Sequence, residues 1–232
     1  MMLGLMIWSP WWWLVIPGVV LSIYAQIKVS STYNRYLEVP ASSGLTGAQA
    51  ARAVLDDAGL QNVPVEEVPG HLTDHYDPAK RALFLSSENF HGNSLSAIGV
   101  AAHEAGHALQ HKAAYAPMTI RQTLVPATQF ASNAIYFMFF LSLFLNIAKL
   151  AMLAVLVYGI LFLFQVVTLP VEFDASRRAK QQLLRLGLID TREHSAINKV
   201  LGAAALTYVA AMVYALLELV HWILIARNSE RD

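Results

Sequence analysis

Cysteine is missing from all 232 residues. That excludes disulfides and thiolate metal sites, and leaves His, Asp and Glu as the strong metal ligands. Charge is scarce: Asp, Glu, Lys and Arg make up 14% of the chain, against about 25% in an ordinary soluble domain. The formal net charge is zero, so there is no basic excess of the kind a nucleic-acid partner requires, and none is expected. The chain also lacks a Gly-x-Ser-x-Gly elbow, a P-loop and a Gly-x-Gly-x-x-Gly turn, which sets aside the common serine-hydrolase and nucleotide-binding chemistries. No internal repeat or low-complexity linker is present.

Hydrophobic residues fill the space that charge leaves, at 56% of the chain. They gather in three blocks, which is the pattern of membrane spans rather than of a greasy soluble core. Residues 3–27 carry no charge, and Trp8, Trp11, Trp12 and Trp13 cluster in them like an interfacial aromatic belt. Residues 130–169 hold one charge, Lys149. This length suits two crossings, with the turn near residues 146–149. Residues 200–226 form the third block, interrupted by Glu218 and His221. That pair reads as an intramembrane polar pair facing other helices in preference to a second metal site.

The sequence between the blocks is ordinary globular chain. Residues 46–58 read as an amphipathic helix stopped by Gly59, and residues 63–69 and 82–85 as short strands. Asn93 or Ser94 caps a helix running to about Lys112, and Pro117 ends any continuation. Lys28 and Arg35 follow the first block, and Arg177 to Lys199 is basic. The positive-inside tendency places both polar segments, 28–128 and 170–199, in the cytoplasm.

The chemistry centres on His103-Glu104-Ala105-Gly106-His107. Two histidines four apart lie on one face of a helix, where both imidazoles reach one Zn²⁺. Glu104 follows the first of them, beside the position of a zinc-activated water, and is placed as general base. Gly106 costs about 1 kcal/mol in a helix relative to Ala, so its presence predicts close approach by another backbone or by substrate. His111 is too far along the axis to join the same ion, and reads as a surface or supporting residue. His71, Asp74, His75 and Asp77 read as a turn near the cleft. The third ligand must come from elsewhere. Glu172 stands out among the downstream carboxylates, because it follows Pro170 where the chain leaves the second block. Asp174 is its competitor; two residues turn a helix by about 200°, so only one of the pair points at the ion.

These residues resemble the bacterial membrane-bound neutral zinc metallopeptidases of the YugP type. The likeness is carried by residues 101–110 (AAHEAGHALQ), 74–78 (DHYDP), 169–179 (LPVEFDASRRA) and 205–210 (ALTYVA). It implies zinc, an endopeptidase-like site and a bacterial plasma membrane. The order of HExxH, helical hairpin and Glu is also similar to the HtpX and CAAX prenyl protease clan, whose third ligand opens a Glu-x-x-x-Asp motif. Glu172 matches that ligand. Ser176 stands where the Asp belongs, and Asp174 is the candidate to support the ligand histidines. The same resemblance implies a substrate-pairing strand at residues 81–86, and an oxyanion-stabilising Tyr208 or His194.

The expectation is therefore a mainly α, polytopic membrane protein with about four transmembrane helices and a small cytoplasmic α+β, gluzincin-like zinc-binding part. Its segments are an N-terminal span (1–27), a catalytic segment with HExxH (28–128), a transmembrane hairpin (129–169), a third-ligand segment (170–199) and a C-terminal span (200–226). The expected function is hydrolysis of peptide bonds in membrane or membrane-proximal proteins, with the active site facing the cytoplasm. The rival is a non-catalytic membrane scaffold with a structural zinc site, which would need a fourth protein ligand to close it.

Overall fold

The computed structural model describes residues 10–141 and 147–229. A 3₁₀ turn at Trp12–Val15 leads into helix α1 (Ile16–Leu37), followed by α2 (Gly47–Asp57), β1 (Val65–Val68), β2 (His75–Asp77), β3 (Ala82–Ser86), α3 (Ser87–His91), α4 (Leu95–Lys112), α5 (Ala116–Leu141), α6 (Ile147–Arg185) and α7 (Thr191–Ser229). The chain forms two compact units. One comprises Gln26–Thr119 with Pro170–Leu206; the other comprises the described parts of Met1–Ala25, Ile120–Leu169 and Thr207–Asp232.

The first unit carries the small sheet. Helix α2 begins in a capping box, in which Thr46 accepts from the Gln49 backbone and the Gln49 side chain reaches back to the Thr46 N–H. Gly59 then ends it at φ +68. Helix α4 starts where the Ser94 hydroxyl accepts from Ala97 N–H. The sheet order is β1-β3-β2, with β1 parallel and β2 antiparallel to β3. All five residues of β3 are buried. Ala50, Val54 and Leu55 of α2, Leu83 and Leu85 of β3, Ile98, Ala101 and Ala105 of α4, Leu183 of α6 and Ile197 of α7 make one apolar core. Segments distant in sequence thus share one desolvated interior, and α4 runs through it.

The central position of β3 corrects one expectation. Residues 81–86 are not an exposed strand, because β3 is hydrogen-bonded on both sides; the edges of the sheet are β1 and β2. A second correction concerns Pro170. It marks no break between segments 129–169 and 170–199 but lies inside α6, which runs unbroken from Ile147 to Arg185. One interior proline removes one ladder bond and bends a helix without ending it where neighbouring groups take up the freed carbonyl. Residues 147–149, read as part of a turn, are helical too; Asn146 lies outside the described residues. Helix α4 ends at Lys112 as expected, but the chain turns at Ala114 (φ +47) rather than at Pro117, which stands in the first turn of α5, where it costs no bond.

Among the described residues, three helices are long and apolar enough to cross a membrane: Trp12–Leu37, Leu150–Arg185 and Thr191–Asn228. Helix α5 is not one of them. The second unit packs Ala131, Met138, Ala154, Val157 and Trp222 together. Glu218 and His221 are fully buried in this unit, 3.6 Å apart, and the Tyr214 hydroxyl donates to Glu218 at 2.9 Å.

Candidate metal centre

The i, i+4 spacing does locally what helix geometry requires. His103 and His107 rise from one face of α4, with ring centroids 4.8 Å apart. Glu172 comes to them from α6. Its Oε2 lies 3.2 Å from His103 Nε2 and 3.6 Å from His107 Nε2. One donor atom from each of the three residues falls within 4.8 Å of the others. Zinc bonds of ~2.0–2.2 Å set tetrahedral edges of roughly 3.3 Å, so the two separations to Glu172 fit a shared ion.

What holds the ligands decides which nitrogen faces the ion. Ser176 Oγ lies 3.1 Å from His103 Nδ1, and Gln110 Oε1 lies 3.0 Å from His107 Nδ1. Both oxygens can accept from an Nδ1–H, which leaves Nε2 of each ring as the metal-facing lone pair. The Gln110 amide is itself fixed: Nε2 donates to the Val171 carbonyl at 2.7 Å and to Asp174 Oδ2 at 3.0 Å. Asp174 also accepts from Arg178 at 2.6 Å and from Arg177. Asp174 therefore stands outside the cluster of three donor atoms. It steadies His107 through Gln110.

Gly106 shows why the motif tolerates no side chain there. A Cβ on it would lie 2.5 Å from the Ala175 carbonyl oxygen of α6. The close approach that the glycine predicted is made by backbone, and it brings Glu172, less than one turn before Ala175, to the histidines.

Glu104 is buried, at 8% exposure. Its Oε2 accepts the Tyr76 backbone N–H of β2 at 2.9 Å. The Tyr76 hydroxyl in turn meets His111 Nδ1 at 2.9 Å. Residues 75–77, read as part of a turn, instead form strand β2, with acids at both ends fixing the flanking chain. Asp74 accepts from Ser86 N–H and from Asn89, while Asp77 accepts from the backbone of Ala79 and Lys80. His75 stacks on Phe84. Burial opposes protonation of His107, but its contact with Glu172 and the charges of Glu104 and Glu172 outweigh this, and its pKa lies above the ordinary value.

Of the sequence-derived site residues, His103, Glu104, His107, Glu172 and Asp174 converge. His194 lies in the first turn of α7, its backbone N–H bonded to Asp190, and among the described residues no hydrogen bond ties it to the three ligands. Tyr208 belongs to the other unit. Sequence reasoning gave neither Gln110 nor Ser176 a role at the site. The signal for both was periodic. Gln110 lies one turn after His107 on α4, and Ser176 lies one turn after Glu172 on α6.

Long apolar helices and an enclosed two-histidine, one-carboxylate cluster are the features of a membrane-associated zinc protein. A family model described as "Putative neutral zinc metallopeptidase" matches residues 11–227, and the chain belongs to that family. It is 46% identical over 219 residues to "Putative membrane protease YugP" of Bacillus subtilis (strain 168), an alignment covering 94% of this chain and 97% of that protein. No solved structure matches the chain.

Proposed function

We propose that the chain is a multi-pass membrane zinc endopeptidase of the bacterial plasma membrane in which Glu104 acts as general base. The observation that carries this is the pairing of a three-group ligand set with a buried carboxylate beside it that, among the described residues, is anchored on one oxygen. Zinc held by His103, His107 and Glu172 would polarise a scissile carbonyl and acidify a water. Glu104 takes the proton of the attacking water and returns it to the departing amine. The Tyr76 N–H holds Glu104 Oε2, and this leaves Oε1 to carry the proton. Ser176 and Gln110 keep the ligand rings oriented, and burial excludes competing solvent.

Strand β2 is the edge strand that serves an extended substrate. The Tyr76 N–H points away from β3, at Glu104, so the Tyr76 carbonyl lies on the same free edge and can accept from a substrate backbone. His194 and Tyr208 are kept as the oxyanion candidates; replacing each by Phe and comparing kcat separates them. A fourth crossing by α5 and a cytoplasmic face for both polar segments complete the reading, as does the kinship with the HtpX and CAAX protease clan that the order HExxH then Glu suggests. A scaffold with structural zinc would need a fourth ligand, and none joins the cluster among the described residues.

The test is Glu104→Gln in detergent-purified protein. Zinc content and helicity are expected to be unchanged, and cleavage of casein or a peptide to fall at least ~10²-fold. Full activity in that variant rejects the mechanism.

A further inference from the structure

A cavity of about 340 Å³ lies apart from the metal centre within the sheet-bearing unit, between the end of α1 and the start of α7. Its rim carries Lys28, Arg35 and Lys199, its wall offers Thr32 and Asn198, and no acidic side chain lines it. Lys28 and Arg35 are seven residues apart, which sets them on one face of α1 about 10 Å from each other. Arg35 packs its guanidinium 5.8 Å from the Tyr36 ring. Among the described residues none of the three cations has a carboxylate within ion-pair distance. Three like charges around one concavity repel each other unless an anion or bulk water lies between them.

The position of these cations identifies the anion. Residues 10–27, immediately before Lys28, carry no charge, and neither do residues 200–217, immediately after Lys199. Both lysines are thus the first charges beyond an apolar helical run, where a chain leaving hydrocarbon meets lipid phosphates. Ile27, immediately before Lys28, is more than half exposed on α1, so apolar surface for an acyl chain adjoins the cavity. Gly202 opens its floor: a Cβ there would meet nothing within 4 Å.

We infer that this cavity binds the headgroup phosphate of an anionic phospholipid, with Lys28, Arg35 and Lys199 on the phosphate, Thr32 and Asn198 on its ester or glycerol oxygens, and the acyl chains along the apolar face of α1. This rests on the membrane placement of the apolar helices and is independent of the peptidase chemistry.

The experiment uses the full chain in neutral detergent, titrated with short-chain phosphatidylglycerol, phosphatidylcholine or inorganic phosphate and read by native mass spectrometry. Wild type is expected to prefer phosphatidylglycerol over phosphatidylcholine by roughly tenfold or more, with inorganic phosphate weaker than either lipid. Lys28→Gln with Lys199→Gln should weaken phosphatidylglycerol roughly 10- to 30-fold, while Lys80→Gln with Arg192→Gln, an equal loss of charge elsewhere, should not. Gly202→Phe fills the cavity without altering charge and favours the helix, so it should lose the preference while remaining folded. Equal phosphatidylglycerol binding by wild type, the lysine pair variant and Gly202→Phe overturns the site. Inorganic phosphate binding as tightly as the lipid overturns the lipid assignment.

Discussion

His107 meets Gln110 at Nδ1 and faces Glu172 with Nε2, so its charge state governs metal loading. Its raised pKa means that a proton competes with zinc from above the ordinary imidazole range of about 6.5 downward. Zinc affinity should therefore fall steadily as pH drops through that raised value. The sign is opposite for metal-free protein: protonated His107 beside two carboxylates contributes stability that is complete below about 6.5 and is lost as pH rises through the raised pKa. Zinc titrations at several pH values check the first, thermal melts of chelated protein the second; a flat affinity between pH 8 and 5.5 counts against the assignment. Glu172 and Asp174 can be separated in the same assay. Glu172→Ala is expected to abolish stoichiometric zinc, as are His103→Ala and His107→Ala. Asp174→Ala should lower affinity by only ~10–100-fold, because Asp174 acts through Gln110. The reverse ranking would move the third ligand to Asp174.

At the scale of elements, the site is a crossing of two helices, α4 supplying both rings and α6 the carboxylate. Their separation at the crossing is set by Gly106 against the Ala175 carbonyl. Gly106→Ala improves helix propensity in α4 by about 1 kcal/mol, yet its Cβ forces backbone apart, with an overpacking cost of typically 1–3 kcal/mol. A lower melting temperature and weakened zinc binding are expected together, since displacement of α6 carries Glu172 away. A variant that is more stable and binds zinc normally would show that the two helices do not need this contact. A glycine within the motif announced a close neighbour, but not whether that neighbour was substrate or backbone. The strands show the same division. Residues 82–85 read correctly as strand from their apolar run, while their central place, and hence the edge role of β2, depended on which segments paired with them.

At the scale of the whole molecule, the absence of cysteine makes topology directly measurable. Single cysteines at Asn62 and Ser195, both exposed positions in the sheet-bearing unit, should resist an impermeant thiol reagent in intact cells and react after permeabilisation. Labelling of one position but not the other would break the proposed arrangement, because a metal site drawing ligands from α4 and α6 needs both segments on one side.

The sequence by itself determined what is local and periodic. Two histidines at i and i+4, a carboxylate between them and a serine cap place half of a metal site on one helix before any packing is known, and apolar runs of membrane-spanning length announce themselves by composition. The resemblance of residues 169–179 brought Glu172 to the site ahead of its geometry. Tertiary structure alone decided that Ser176 orients His103 across 73 residues, that Gln110 joins His107 to Asp174 across 64, and that Tyr76 of β2 holds Glu104 across 28. Bonds of that range follow from how α6 and β2 pack on α4, and no spacing along the chain encodes the direction in which a packed side chain finds its partner.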